Sequence, residues 1–172
     1  MKNRGNLKLS ASGDREIVMT RAFDAPRSLV FDAYTKPELL KRWLGVFGGW
    51  TLPVCEVDLR VGGAYRFVWR HAPDGHEMGM GGTYREVVRP ERLVNTEKFD
   101  ESWYPGEALI TAAFTEQSGK TTLTVTMRYE SRAARDAVIK SPMEGGVAES
   151  YDKLAELLGS PEVRGTQRRE RT

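Results

Sequence analysis

Few residues in this chain have both the chemistry and the spacing of a reacting group. Tyr84 and Glu86 stand two apart in a predicted strand, so the period of two puts both on one face. A phenol and a carboxylate sharing a pocket with Arg128, from a later strand, would form an acid–base set. Exposure or a cross-strand ion pair is the competing fate of Glu86. Asp58, Arg60 and Glu97 also fall in predicted strands. Any of them pointing inward needs a partner, because an unpaired buried charge is costly. His71 and His76 bracket Pro73-Asp74-Gly75, with Glu77 adjacent. Metal or base chemistry is open to them, but a hairpin tip favours exposure. Cys55 is the lone cysteine, so it forms no internal disulfide and no thiolate cluster. Its place in a strand suits a small apolar residue. No Gly-x-Ser-x-Gly elbow, phosphate-binding glycine loop or dinucleotide fingerprint occurs. No metal site and no cofactor is expected.

The aromatic residues give a stronger pattern. Tyr65, Phe67 and Trp69 alternate with Arg66, Val68 and Arg70, which puts three rings on one sheet face. The preceding Gly62-Gly63 pair is a hairpin signal. Trp43, Trp50, Phe67, Trp69, Tyr84, Phe99 and Trp103 are candidate walls of an apolar pocket. Met80, Met127, Met143 and Val147 complete the candidate ligand-binding set, and Met78 adds further adaptable surface. A pocket of this kind has a volume on the order of 300–1,000 Å³. Ordinary core packing is the competing role of each ring.

These residues need elements to hold them. Glu16–Phe23 reads as a strand with Ile17, Met19 and Phe23 on one face. Pro26–Tyr34 and Pro37–Leu44 read as short helices, with Asp24 and Thr35 as caps. Strands follow at Leu52–Leu59, Ala64–Arg70, Gly82–Val88, Arg92–Phe99, Ala108–Thr115 and Thr121–Tyr129. In the last of these, Leu123, Val125, Met127 and Tyr129 alternate with three threonines and Arg128. Arg132–Lys140 is a short helix. Ser141-Pro-Met-Glu144 matches a capping box, and Met143, Val147, Tyr151, Leu154 and Leu158 recur at helical spacing. Gly145-Gly146 inside that helix suggests close approach to the sheet or a ligand, or a plain helix irregularity. The expectation is an α+β fold: a curved antiparallel sheet of about six to seven strands, two short helices, and a long C-terminal helix over the concave face. Residues 1–14 read as an extension, 15–159 as one domain and 160–172 as a disordered basic tail.

The 172 residues are 40% apolar and 29% charged, with a net charge of +2. That suits one globular domain and gives no electrostatic case for nucleic acid. No apolar run is long enough for a membrane span and no signal peptide is visible, so a cytoplasmic protein is expected.

The segment Arg21-Ala-Phe-Asp-Ala-Pro-Arg-Ser-Leu-Val-Phe-Asp-Ala-Tyr-Thr-Lys-Pro-Glu-Leu-Leu-Lys-Arg-Trp43 resembles the opening of the START-like SRPBCC superfamily. Within it, the likeness is to the branch named after the activator of the heat-shock chaperone ATPase. Asp58-Leu-Arg-Val-Gly-Gly63, Gly82-Thr-Tyr-Arg-Glu-Val-Val-Arg-Pro-Glu-Arg-Leu-Val94 and Gly146-Val-Ala-Glu-Ser-Tyr-Asp-Lys-Leu154 fit the same branch. The resemblance implies a helix-grip fold, often with a hydrophobic cavity under the long helix. It does not imply one activity, since the fold hosts several. The leading expectation is binding of a small hydrophobic molecule without catalysis. The alternatives are a cyclase- or hydrolase-type enzyme in the same cavity and a chaperone-interaction module. The family's chaperone activator has a further N-terminal domain that the short stretch before the first strand does not supply. Monomer and homodimer are both open.

Overall fold

The alternating runs assemble into one sheet. The computed structural model describes residues 6–170, with side chains through Gly165. The strands are β1 (Lys8–Ser12), β2 (Glu16–Phe23), β3 (Trp50–Val57), β4 (Ala64–His71), β5 (Glu77–Val88), β6 (Arg92–Phe99), β7 (Ala108–Gln117) and β8 (Lys120–Arg128). The helices are α1 (Arg27–Thr35), α2 (Pro37–Leu40), α3 (Arg132–Ile139), α4 (Met143–Leu158) and α5 (Pro161–Glu170). The sheet order is β1-β2-β8-β7-β6-β5-β4-β3, and each neighbouring pair is antiparallel. The chain crosses from β2, next to one edge, to β3 at the other edge through α1 and α2. The architecture is the α+β fold expected.

The sheet has eight strands because the N-terminal extension contributes one. Lys8 pairs with Thr20 and Ser12 with Glu16, and Gly13 turns the chain between the strands at φ +56°. Leu7 and Leu9 lean on the core, which rewards the pairing. Residues 1–5 lie outside the described residues. The basic tail, expected to be disordered, instead carries α5. Pro161 suits a first helical turn, and Val163 buries its side chain in the core. Residues 171–172 are outside the described set.

The predicted helix caps are corrected. The backbone N–H of Arg27 donates to the Glu116 carboxylate of β7 at 2.7 Å, while the N-cap residue Pro26 makes no side-chain cap bond. Asp24 is therefore not needed there. Thr35 remains inside α1 and donates its hydroxyl to the Phe31 carbonyl at 2.9 Å. Ser141 donates to the Val138 carbonyl of α3 rather than capping α4, so no capping box forms.

Helix α4 is seated at one end. Tyr151, Leu154, Leu157 and Leu158 are buried, whereas Met143, Gly146 and Val147 are only partly so. The seated end has two polar ties. The Tyr151 and Tyr34 hydroxyls lie 2.6 Å apart, and Arg21 of β2 donates to Asp152 at 2.9 Å. Trp43 is fully buried beside them, its indole N–H on the Ala33 carbonyl at 2.9 Å and its ring 6.1 Å from that of Tyr151.

The loop after α2 is fixed by Gly45. Its N–H donates to the Ser150 hydroxyl of α4 at 3.0 Å, and the Trp69 indole N–H donates to the Leu44 carbonyl at 2.9 Å. Gly45 has φ +68°, and a Cβ there would lie 2.5 Å from Trp69 Nε1. Gly145 is the opposite case, since a Cβ there meets nothing within 4 Å. At Gly146 the nearest atom, on the Phe47 ring, is at an ordinary 3.6 Å, so the paired glycines are not a close-packing device. Two substitutions test this. Gly45→Ala is expected to lower stability by about 1–3 kcal/mol. Gly145→Ala is expected to raise it by about 0.5–1 kcal/mol, or roughly 1–4 °C in Tm. Thermal unfolding of both variants reads the result, and a stabilising Gly45→Ala would contradict the loop geometry.

Candidate functional site

Seating α4 at its C-terminal end leaves space beneath its N-terminal half. That space is a cavity of about 440 Å³. β4 contributes Phe67, Trp69 and Tyr65; β5 contributes Tyr84 and Met78. β6 supplies Leu93, Asn95, Glu97 and Phe99, while β7 and β8 supply Ile110, Ala112, Val125 and Met127. Met143, Gly146, Val147, Ser150 and Tyr151 of α4 form the roof. Trp43 and Trp50 close the α2 side, and Trp103 and Tyr104 come from the β6–β7 loop. Trp103 is half exposed and Met78 is also exposed, which places these two at the rim. The Trp103 ring lies 5.0 Å from that of Phe99, continuing the aromatic wall outward.

Most of the predicted wall residues thus surround one space. Met80 does not line it. It pairs with Phe67 on one side and Phe99 on the other and is buried as core between them.

The predicted acid–base set is not assembled. Tyr84 lines the cavity, but β5 carries a register shift between Tyr84 and Glu86. Tyr84 pairs with Asn95 and Glu86 with Val94, so Arg85 is the extra residue of a β-bulge. The bulge turns Glu86 to the convex face, where Arg92 Nε donates to it at 3.1 Å. Arg128 is also convex and exposed, because it alternates with the inward Val125 and Met127 of β8. It sits in a separate depression with Arg15, Arg85 and Glu130. Asp58 and Arg60 lie in the β3–β4 connection and pair with each other at 2.9 Å.

His71 sits under the Trp50 ring, 4.9 Å away, and its Nδ1 is 3.0 Å from an Asp74 carboxylate oxygen. Among the described residues, no group of three or more His, Cys, Asp or Glu side chains could hold a metal ion. Cys55 is buried on β3 opposite Phe67, and burial pushes its thiol up to about 11.

The cavity does hold one carboxyl group, Glu97. It shares strand parity with Phe99, two residues on, and that spacing was the available sequence signal. Burial pushes its carboxyl up to about 7 from an ordinary 4.5. Among the described residues it has no hydrogen-bond or ion-pair partner, and its opposite neighbours are small. Ala108 stands opposite on β7. On β5 the pairs Gly81–Lys98 and Tyr84–Asn95 place Gly82 beside it. Tyrosine hydroxyls surround the site. Tyr65, Tyr104 and Tyr129 are all held neutral, by burial first and by the Glu97 charge second. Tyr65 donates to the Thr96 carbonyl and accepts from the Asn95 amide at 3.1 Å. The buried Tyr104 hydroxyl has no hydrogen-bond partner among the described residues.

The raised pKa has a stability consequence with a definite sign. Between pH 4.5 and about 7 the folded chain keeps the Glu97 proton while the unfolded chain has released it. Stability therefore falls as pH rises through that window, by at most about 3 kcal/mol. Chemical denaturation from pH 5 to 8 is expected to show this fall in the wild type and its loss in Glu97→Gln. An unchanged profile in that variant would contradict the assignment.

The comparisons agree with this architecture. The family model described as activator of Hsp90 ATPase homolog 1-like protein matches residues 24–159. A crystal structure of a Rhodobacter sphaeroides protein is 31% identical with a TM-score of 0.83, covering 88% of this chain and 97% of that one. A Chromobacterium violaceum protein is 30% identical with a TM-score of 0.73, over 85% and 98% of the two chains. A Staphylococcus epidermidis protein solved in solution is 28% identical with a TM-score of 0.73, over 86% and 92%. No curated protein sequence matches the chain. A helix-grip sheet and a family match over most of the chain together make it a member of the activator of Hsp90 ATPase homolog 1-like family.

Proposed function

We propose that this protein binds a small hydrophobic molecule in the cavity between the sheet and α4. One observation carries the reading: a space of about 440 Å³, walled by aromatic, aliphatic and methionine side chains, reaches the surface at Trp103 and Met78. Moving an apolar guest there removes its surface from water, a gain of roughly 25 cal/mol per Å². The interior is mostly formed before the guest arrives, which limits the ordering cost. A cyclase or hydrolase using Tyr84, Glu86 and Arg128 loses support, because two of those three face away from the cavity. The family description supports a chaperone contact by name only.

Thermal-shift and native mass-spectrometry screening against lipids and aromatic metabolites tests the proposal. A guest at about 100 times its Kd is expected to stabilise the fold by about 2.7 kcal/mol. Val147→Trp, which places an indole in the cavity, is expected to keep the fold and abolish that shift. Retained binding in Val147→Trp, or no apolar ligand bound at all, would contradict the cavity as the site. Stimulation of a cytosolic chaperone ATPase without ligand binding would favour the interaction module instead.

A further inference from the structure

Resting on that binding reading, we infer that the guest is a cationic amphiphile: an apolar body bearing one protonated amine that pairs with Glu97. The chemistry of the wall selects this class. Among the described residues that line the cavity, Glu97 is the only carboxylate, and none is a lysine, arginine or histidine. A guest with a carboxylate or phosphate head would meet a like charge and no counter-charge. A plain hydrocarbon would leave the Glu97 carboxyl unsatisfied, which is costly in an apolar space.

The local backbone has built room for a donor at this spot. Ala108 and Gly82 stand directly opposite Glu97 on the two neighbouring strands, so neither of these positions offers a side chain that could reach the carboxyl. Among the described residues, no hydrogen bond or ion pair ties it down. A second group lines the same cavity: the Tyr104 hydroxyl is buried and has no hydrogen-bond partner among the described residues. Aromatic faces complete the recognition, because rings such as Tyr65, Phe67 and Phe99 attract a cation electrostatically. An ammonium group in this niche gains a charge-assisted hydrogen bond to Glu97 and cation–π contact together.

Three probes on one skeleton test the inference by calorimetry: phenylbutylamine, phenylbutanol and phenylbutyrate. At pH 8 the amine is expected to bind roughly ten- to hundredfold more tightly than the alcohol, and the carboxylate more weakly than either. Glu97→Gln is expected to remove the amine's advantage while leaving the alcohol's affinity within about twofold, which shows an intact pocket. The pH profile is a second readout. The groups facing Glu97 are the hydroxyls of Tyr34 (α1), Tyr65 (β4), Tyr104 (the β6–β7 loop), Tyr129 (after β8) and Tyr151 (α4), all held neutral there. Only Glu97 then titrates, so amine affinity falls as pH drops below about 7 and alcohol affinity does not. Equal binding of amine and alcohol, or an amine preference that survives Glu97→Gln, overturns the inference while leaving the hydrophobic site intact. Failure of all three probes overturns both.

Discussion

The structure depends on how α4 is held. A curved sheet presents more concave surface than one helix can cover. This helix is fixed by its C-terminal half, where Tyr151 bonds Tyr34, Asp152 accepts from Arg21, and Leu154 and Leu158 sink into the core. Its N-terminal half is less deeply buried along the face that carries Met143, Gly146 and Val147. Met143, Gly146 and Val147 therefore span the gap instead of filling it. Gly45 stabilises that arrangement from the side, joining the α2–β3 loop to Ser150 while Trp69 holds the adjacent carbonyl. The cavity lies beneath the half of the helix that is less deeply buried.

The treatment of buried charge sharpens the contrast inside this space. Elsewhere the buried ions are paired. Asp32 accepts from Arg89 at 2.8 Å and tethers the β5–β6 turn to α1. Arg135 donates to the Gly13 and Glu16 carbonyls and to Asp136, locking α3 against the β1–β2 hairpin. Among the described residues, Glu97 alone of the charged groups faces the apolar hollow, with small residues opposite it on either side. A carboxyl in that position is an energetic liability for folding, since ionisation there is opposed by burial. Such a group at a cavity wall is more readily understood as part of recognition than as part of the scaffold.

Much of this was legible in the chain. The alternation of Tyr65, Phe67 and Trp69, and the helical spacing of Met143, Val147 and Tyr151, depend only on local periodicity, and both held. Parity failed where it crossed the β5 bulge, because one inserted residue sends every later side chain to the other face. Glu86 was lost there, and Arg128 stood on the outward phase of a strand whose inward phase was plain. The caps failed for a tertiary reason: a carboxylate from β7 reached the first turn of α1 more effectively than Asp24. β1 is the first arm of a hairpin with β2 about Gly13, and α5 is held by Val163 in a core drawn from distant parts of the chain. A single buried residue gives no periodic pattern that announces α5.

The most direct measurement follows methyl resonances while a small apolar guest such as indole is titrated in. The methyls of Val147, Met127 and Ile110 are expected to shift together and saturate, while those of Leu154 and Leu158 at the seated end stay in place. Shifts confined to surface methyls, or movement at Leu154 and Leu158 with none at Val147, would contradict a cavity made by tying the helix at one end.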